Sequence, residues 1–164
     1  MHHIDYLSLK DINSPLQQDI LDAIHQVVES GWYLQGKANQ QFAEAYAQYI
    51  GTQYCIPCGN GLDALKLMLR GEMELGRLHE GDEIIVPANT YIATILAITE
   101  CRLNPILVEP RWETLQIDDR LLHQVLTPRT KAVMTVHLYG RCAMTEAIER
   151  FCQQHNLLLF EDNA

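Results

Sequence analysis

The sequence predicts an α/β protein, a three-layer α/β/α arrangement around a mostly parallel sheet. From residue 51 onward, short apolar runs alternate with segments of helical periodicity, the pattern of repeated strand–helix units. Polar, charged or glycine-bearing tails follow the apolar runs, and such sheets bind ligands at the carboxyl ends of their strands. The predicted strands are 54–58, 83–86, 106–108, 132–138 and 157–160. The predicted helices are 62–69, 92–100, 119–126 and 145–154.

Two amphipathic helices are predicted before this alternation begins. Ser14 precedes Pro15, a typical start of a helix, and apolar residues then recur at helical spacing. A second helical pattern covers residues 38–50 and is ended by Gly51. The loop between the two helices, GWYLQGK at 31–37, contains two glycines that break the pattern.

Composition and charge narrow the class of protein. An apolar content of 48% with 20% charged residues is typical of a globular chain, and the net charge of −9 argues against general nucleic-acid binding. No apolar run approaches the roughly 20 residues that cross a bilayer, and the N-terminus lacks a secretory signal pattern. Without an export signal the five cysteines are expected to be reduced. We therefore expect a cytoplasmic protein that binds neither nucleic acid nor membrane.

The stretch CIPCGNGLDAL at 55–65 has two chemically distinct interpretations. Gly59-Asn60-Gly61 lies between an apolar run and a helix, which predicts a turn whose N–H groups bind phosphate at the helix start. Cys55 and Cys58 have the spacing of a redox dithiol, and a helix N-terminus lowers a thiol pKa. Against the dithiol, Gly-Asn-Gly delays the helix, and Cys55 falls inside an apolar run where it should be buried. Both thiols are therefore predicted to be small core residues rather than a redox pair. No second Cys or His pair follows at ligand spacing, so we predict no metal site.

The order of several motifs favours the phosphate interpretation. The chain contains, in this order, GWYLQGK, CGNGLDAL, GDEIIVPANTYIAT, PILVEP, LTPRTKAVMTVHLYG and FEDNA. Together they resemble the first part of the nucleotide-sugar aminotransferases, which are pyridoxal-phosphate enzymes of the aspartate-aminotransferase fold type. The likeness is greatest to members that act on dTDP-linked 3-keto-6-deoxyhexoses. It implies that residues 1–50 form an N-terminal helical segment with an active-site loop, and that residues 51–164 form the first part of the cofactor-binding large domain.

The resemblance implies a site for pyridoxal 5'-phosphate. The turn Asn60-Gly61-Leu62-Asp63 would contact the cofactor phosphate, chiefly through main-chain N–H groups at the helix start. Tyr91 would stack on the pyridine ring; without the resemblance it would be predicted as a rim aromatic. Asp162 would pair with the pyridinium nitrogen and keep it protonated. Without the resemblance, Asp162 could equally cap a helix or turn.

The resemblance also implies three substrate-binding residues. Trp32 and Tyr33 lie in the loop that the family places near the active site at a dimer interface; the alternative is ordinary packing of the loop. His137 follows a predicted strand, and the alternative for it is a structurally satisfied group. We expect a homodimer whose substrates are a nucleotide sugar and an amino-acid amino donor.

The lysine that forms the Schiff base in this family has no counterpart in this sequence. In the family the acidic motif is followed by a Gln and later by a Ser and that Lys, positions that would lie beyond Ala164. Lys10, Lys37, Lys66 and Lys131 do not occupy the matching position. We therefore expect no catalytic residue within the chain, absence of the remaining large domain and of a small domain, and no turnover by this chain alone.

The expected function is transfer of an amino group, usually from glutamate, to a keto carbon of a nucleotide-linked sugar. Two other functions remain open. One is an inactive remnant that binds phosphate ligands or an intact homologue, and the other is a thiol redox protein that uses Cys55 and Cys58.

Overall fold

The computed structural model describes residues 6–164, which form two compact units, one ending at Pro57 and one running from Cys58 to Ala164. Residues 1–5 of the predicted N-terminal helical segment therefore lie outside the described part of the chain. Within residues 6–164, none of the helices combines the length and the apolar character that a membrane span requires.

The first unit is helical. Helix α1 covers Leu9–Asn13, a 3-10 turn covers Ser14–Leu16, and helices α2 and α3 cover Gln17–Ser30 and Lys37–Ile50. The helix predicted from Ser14 is thus interrupted, because Pro15 lies in the 3-10 turn and α2 begins only at Gln17. Both longer helices end at glycines in the left-handed conformation, Gly31 and Gly51, as their sequence predicts.

The loop between α2 and α3 folds tightly around Gly36. A Cβ atom at this position would lie 2.7 Å from the carbonyl oxygen of Trp32, so the close approach requires glycine. Among the described residues of the first unit, only Gly36 and Ala47 are buried. This unit therefore exposes most of its large apolar side chains.

The second unit is a parallel α/β layer structure. Its four strands have the order β2-β1-β3-β4 within the described chain, and every neighbouring pair is parallel. The strands are β1 Glu83–Pro87, β2 Asn104–Val108, β3 Thr130–Val136 and β4 Leu158–Asp162. The helices are α4 Gly61–Glu74, α5 Ile92–Glu100, α6 Leu122–Val125 and α7 Glu146–His155.

Alternate strand residues face two separate cores. Ile84 and Val86 of β1 pack with α4 and α5, whereas Ile85 packs with α6 and α7. Because side chains alternate along a strand, one sheet can bury both faces under helices. The three-layer α/β fold class predicted from the sequence is confirmed.

Several predicted boundaries are wrong. Residues 54–58 are not a strand, and Ile56 is exposed, since Pro57 cannot donate a ladder hydrogen bond and no described strand pairs with the segment. The prediction that both thiols are core residues is wrong too, because Cys55 is half-buried and Cys58 is exposed. The predicted helix 119–126 is a 3-10 turn, Asp119–Leu121, followed by the short α6.

Candidate active site

A cavity of about 480 Å³ opens at the carboxyl ends of the strands in the second unit. It lies where α4 and α5 begin and where β3 and β4 end, the position at which parallel sheets bind ligands. Most of its wall is apolar, as expected of a small-molecule site with few polar groups. The lining residues are Asn60, Gly61, Leu62, Leu65, Tyr91, Ile92, Ala93, Thr94, Leu96, Val136, Leu138, Asp162 and Ala164.

The start of α4 forms one wall of this cavity. Asn60 is the N-cap, and its Oδ1 accepts a hydrogen bond from the N–H of Asp63 at 2.9 Å. The N–H groups of Gly61 and Leu62 precede the first intrahelical bond, and no acceptor is described for them within residues 6–164. Two free donors at the positive end of a helix dipole form a site for a phosphate group.

The small size of Gly61 keeps this wall open. A Cβ atom at Gly61 would lie 3.4 Å from the Cβ of Ala164, and both residues line the cavity. A Cβ atom at Gly59 would approach only a carboxylate oxygen of Asp63, at 3.8 Å. Neither glycine has a positive φ. Gly61 therefore contributes to the cavity through the space that its missing side chain leaves, not through an unusual backbone conformation.

Asp162 is a buried carboxylate without a cationic partner. Asp162 is the last residue of β4 and is 6% exposed. Its Oδ2 accepts a hydrogen bond from the Thr94 hydroxyl at 2.8 Å, and its Oδ1 accepts one from the N–H of Ala164 at 3.1 Å. No Lys, Arg or His nitrogen among residues 6–164 comes within 4.0 Å. Buried charges are normally paired, so a cationic ring nitrogen is the ligand group that this arrangement fits.

Tyr91 contributes an aromatic ring to the same cavity. It is the N-cap residue of α5, in an extended conformation that ends the turn after β1. The side chain is 74% exposed although it lines the cavity, so its ring is not held in the core and is free to stack on a ligand.

His137 follows β3 but does not line the cavity. Val136 does line it, and strand alternation turns the next side chain toward the opposite face. The Nδ1 atom of His137 accepts a hydrogen bond from the N–H of Ala143 at 3.0 Å, and its Nε2 lies 2.9 Å from a carboxylate oxygen of Glu161. Because Nδ1 is an acceptor, the ring proton is on Nε2 and is donated to Glu161. The His137 ring therefore does not line the cavity, although the residue follows β3 at the same edge of the sheet as Asp162, and its contact with the substrate stays a prediction.

Asp63 does not reach the cavity either. Its main-chain N–H donates a hydrogen bond to Oδ1 of Asn60, and its Oδ2 accepts one from the Asn60 side-chain amide at 2.9 Å. The Nζ of Lys66 lies 3.3 Å from its Oδ1 and 3.0 Å from Oε2 of Glu100. The hydrogen bond to Glu100 raises the pKa of Lys66, and the interaction with Asp63 raises it further by a smaller amount. Both residues therefore belong to an ion-pair cluster on the flank of α4.

Trp32 and Tyr33 lie in the first unit. Trp32 lines a second cavity, of about 510 Å³, with residues of α2 and α3 that include Gln26 and Lys37. The Tyr33 hydroxyl donates a hydrogen bond to the carbonyl oxygen of Val28 at 3.3 Å. Substrate contact by Trp32 and Tyr33 stays a prediction.

Cys58 directly precedes the Gly59-Asn60-Gly61 turn at the start of α4. The Cys58 thiol donates a hydrogen bond to the carbonyl oxygen of Asn60 at 3.4 Å, which ties the residue before the turn to the N-cap of α4. Cys55 belongs to the first unit. Across residues 6–164, no three metal-ligating side chains come together.

Thr94 is a site residue that the sequence reasoning missed. It is 1% exposed, lines the cavity and contacts Asp162. The available signal was a hydroxyl among the apolar residues that begin the helix IATILAITE, three positions after Tyr91. The apolar wall residues Val136 and Leu138 could not be predicted from the sequence, because the sequence does not show which side chains at the end of β3 face the cavity.

Comparison with known proteins identifies close relatives. A family model described as DegT/DnrJ/EryC1/StrS aminotransferase family matches residues 15–164. The dTDP-3-amino-3,6-dideoxy-alpha-D-galactopyranose transaminase of Aneurinibacillus thermoaerophilus is 45% identical over 98% of this chain and 43% of its own length. The crystal structure of S. venezuelae DesV in complex with ketimine intermediate superposes with a TM-score of 0.92, at 37% identity, covering 99% of this chain and 43% of that one.

A further structural neighbour contains the amine form of the cofactor, PMP. NtdA from Bacillus subtilis, with bound cofactor PMP, has a TM-score of 0.85 at 29% identity and covers 98% of this chain and 37% of that chain. The chain thus spans less than half of the length of the relatives it matches. The family depends on pyridoxal 5'-phosphate, and an apolar cavity with two free N–H groups at one end and a buried unpaired carboxylate fits that cofactor.

Proposed function

The chain belongs to the DegT/DnrJ/EryC1/StrS aminotransferase family, and from this we propose that the whole protein transfers an amino group to a sugar. The donor is an amino acid, glutamate in our proposal, and the acceptor is the keto carbon of a dTDP-linked 3-keto-6-deoxyhexose. The observation that carries the proposal is the buried carboxylate of Asp162, which lacks a described cation and lines an apolar cavity beside the start of α4.

Three parts of the cavity would hold pyridoxal 5'-phosphate. The N–H groups of Gly61 and Leu62 bind the phosphate, the Tyr91 ring stacks on the pyridine ring, and the Asp162 carboxylate accepts a hydrogen bond from the ring nitrogen. When bound, the cofactor supplies an electron sink that stabilises negative charge on the carbon next to the amino group. Asp162 maintains this sink because a carboxylate at the ring nitrogen keeps that nitrogen protonated.

No lysine of the second unit lines the cavity. Lys66 is held by Asp63 and Glu100 on the flank of α4. Lys131 lies at the start of β3, and its Nζ donates a hydrogen bond to the carbonyl oxygen of Pro128 at 3.2 Å. We therefore assign no catalytic lysine among these residues and propose that the 164-residue chain alone does not turn over. The same observation favours the second candidate, a remnant that binds phosphate ligands without catalysis.

The sugar substrate is proposed to contact Trp32, Tyr33 and His137. The first two support the proposal by their exposure, 56% and 64%, since aromatic side chains exposed in a loop are available to a ligand or partner. His137 supports it less directly, because its ring is already engaged by Glu161 and Ala143.

We also propose that the protein is a homodimer. Helix α2 exposes a stripe of apolar side chains at four-residue spacing, Ile20, Ile24 and Val28, each more than two fifths exposed. Apolar stripes of this kind are typical of buried subunit interfaces.

The test is a cofactor titration and an amino-transfer assay on the full-length protein. Absorbance of bound pyridoxamine 5'-phosphate gives its dissociation constant, and glutamate with a dTDP-3-keto-6-deoxyhexose gives turnover. Asp162→Asn should weaken binding at least about tenfold, the size of a lost charge-assisted hydrogen bond, whereas the neighbouring Glu161→Gln should leave binding unchanged. Binding of the cofactor without any amino sugar would favour the remnant, and no binding of pyridoxamine 5'-phosphate would exclude the aminotransferase.

A further inference from the structure

We propose that Thr94 and Thr90 are positioning residues that orient the Asp162 carboxylate toward the ring nitrogen of the cofactor. This inference rests on the proposed function, because it assumes that the Asp162 carboxylate binds the ring nitrogen of pyridoxal 5'-phosphate. Neither threonine is required to touch the substrate. Thr94 acts through Asp162, and Thr90 acts through Thr94.

Thr90, Thr94 and Asp162 form a chain of two hydrogen bonds, which we call the relay, and its donors and acceptors follow from the chemistry of the three groups. The Thr94 Oγ1 atom lies 2.8 Å from Oδ2 of Asp162 and 2.8 Å from Oγ1 of Thr90. An ionised carboxylate only accepts hydrogen bonds, so the single hydroxyl proton of Thr94 is donated to Asp162. Oγ1 of Thr94 must then accept its second bond, and Thr90 is the donor. The relay therefore runs from Thr90 through Thr94 to Asp162.

Packing alone does not account for a threonine at position 94. The other buried residues of α5 are Ala97 and Ile98, and the helix side that they share contributes to an apolar core. A helical threonine without a tertiary partner usually bonds back to a main-chain carbonyl of the preceding turn. Thr94 instead reaches across to β4, 68 positions later in the chain, and the bond is buried. This is a long-range polar contact that valine, of nearly the same shape, could not make.

The relay leaves Asp162 in one orientation. Oδ1 is held by the Ala164 N–H and Oδ2 by Thr94, so both oxygens are anchored from the protein side. Each oxygen keeps further lone pairs, and Asp162 lines the cavity, where the only partner that we propose is the ring nitrogen. Hydrogen bonds in a chain polarise one another, so donation by Thr90 strengthens the bond from Thr94. Loss of Thr94 would free one oxygen and let the carboxylate rotate.

The experiment measures ligand binding to the full-length apoprotein rather than its activity. Pyridoxamine 5'-phosphate reports on the phosphate turn together with Asp162, whereas inorganic phosphate reports on the turn alone. Thr94→Val should weaken pyridoxamine phosphate about tenfold, the size of a lost hydrogen bond to a charged group, and leave phosphate affinity unchanged. Thr94→Ser, which keeps the hydroxyl, should stay within about threefold of the unmodified protein.

Two further variants complete the comparison. Thr90→Val keeps the Thr94 bond but removes its support, so it should weaken pyridoxamine phosphate by a smaller factor, about twofold to threefold. It also tests the relay if Thr94→Val does not fold. The matched control is Thr99→Val on the same helix, whose exposed hydroxyl bonds only to the carbonyl oxygen of Leu96, and it should change nothing.

The outcomes separate this inference from the proposed function. Equal pyridoxamine phosphate affinity in the unmodified, Thr94→Val and Thr90→Val proteins would overturn the relay while leaving the cofactor site intact. Parallel weakening of pyridoxamine phosphate and inorganic phosphate in Thr94→Val would also overturn it, because it would show a general structural effect. No binding of pyridoxamine phosphate by the unmodified protein would instead exclude the proposed function.

Discussion

Two adjacent acidic residues at the end of β4 have different surroundings because side chains alternate along a strand. Asp162 faces the cavity with Thr94, whereas Glu161 faces the other side and binds His137. Both acids were visible in the motif FEDNA. The resemblance singled out Asp162, which lines the cavity, and its pairing with the cofactor nitrogen stays a prediction. What the residues alone could not supply was the face of the sheet on which each lies, since that depends on pairing with β3, where Val136 is opposite Asp162.

At Asn60 we predict a loss of stability from removal of the N-cap. Asn60→Ala should lower the free energy of unfolding by about 1 kcal/mol, because the N–H of Asp63 loses its acceptor. Asn60→Ser, which preserves a capping oxygen, should cost only a few tenths. Chemical denaturation of the apoprotein gives both values, and equal losses in the two variants would show that the cap does not stabilise α4.

At Gly61 we predict a loss of cofactor affinity without a comparable loss of stability. Gly61→Val places a branched side chain between residues that line the cavity, so pyridoxamine phosphate should bind at least about tenfold more weakly. Gly59→Val is the matched control, because its Cβ approaches only Asp63. Titration of both variants decides the matter: equal affinities would mean that the space beside Gly61 is not used by the phosphate.

At the scale of elements, the strand–helix alternation was largely predictable. Helix α5 has the predicted bounds, since its apolar periodicity is long and uninterrupted. The segment 54–58 was not predictable in the same way, because an apolar run without a pairing partner has the same sequence signature as a strand. The Thr90–Thr94 relay depends on tertiary contact between α5 and β4, which no local pattern encodes.

The connection between β2 and α6 is held by an ion-pair cluster. Asp118 is buried and binds Arg120 through two side-chain bonds, of 2.8 and 2.6 Å, and Arg111 through one of 3.3 Å. Hydrogen bonding to the Arg120 side chain, aided by the Arg120 N–H and the charge of Arg111, lowers the pKa of Asp118 to about 2. The same cluster reaches α7, because Asp119 accepts a hydrogen bond from Thr145.

This cluster predicts acid-sensitive stability. A carboxyl whose pKa falls from 3.8 to about 2 on folding contributes stability above pH 4 that is lost as the pH falls toward 2. With a discount for the exposed Arg120, the loss attributable to Asp118 is about 1 kcal/mol. Unfolding measured at pH 5 and pH 2.5 should show a smaller decrease for Asp118→Asn than for the unmodified protein.

A control carboxylate separates this effect from general acid denaturation. Glu74 is exposed and has no described ion pair within residues 6–164. Glu74→Gln should therefore show the same decrease between the two pH values as the unmodified protein. An equal decrease in Asp118→Asn would mean that the Asp118 pairs do not stabilise the fold.

At the scale of the whole molecule, the first unit exposes an apolar surface that predicts association. Ile24→Lys puts a charge in the stripe that α2 exposes and should shift the full-length protein from dimer toward monomer. His25→Lys adds the same side chain one position away, beside Glu29, and should leave the dimer intact. Sedimentation equilibrium of the three proteins distinguishes the cases, and an unchanged dimer in Ile24→Lys would remove this stripe from the interface.

In our proposal, the second unit holds the cofactor between the start of α4 and the Asp162 carboxylate at the end of β4. The most direct test is a crystal structure of the full-length protein with pyridoxamine 5'-phosphate. We expect the ring nitrogen about 2.7–2.9 Å from the carboxylate of Asp162, with the phosphate at the N–H groups of Gly61 and Leu62. A cofactor bound away from this cavity, or a ring nitrogen that contacts a residue other than Asp162, would contradict it.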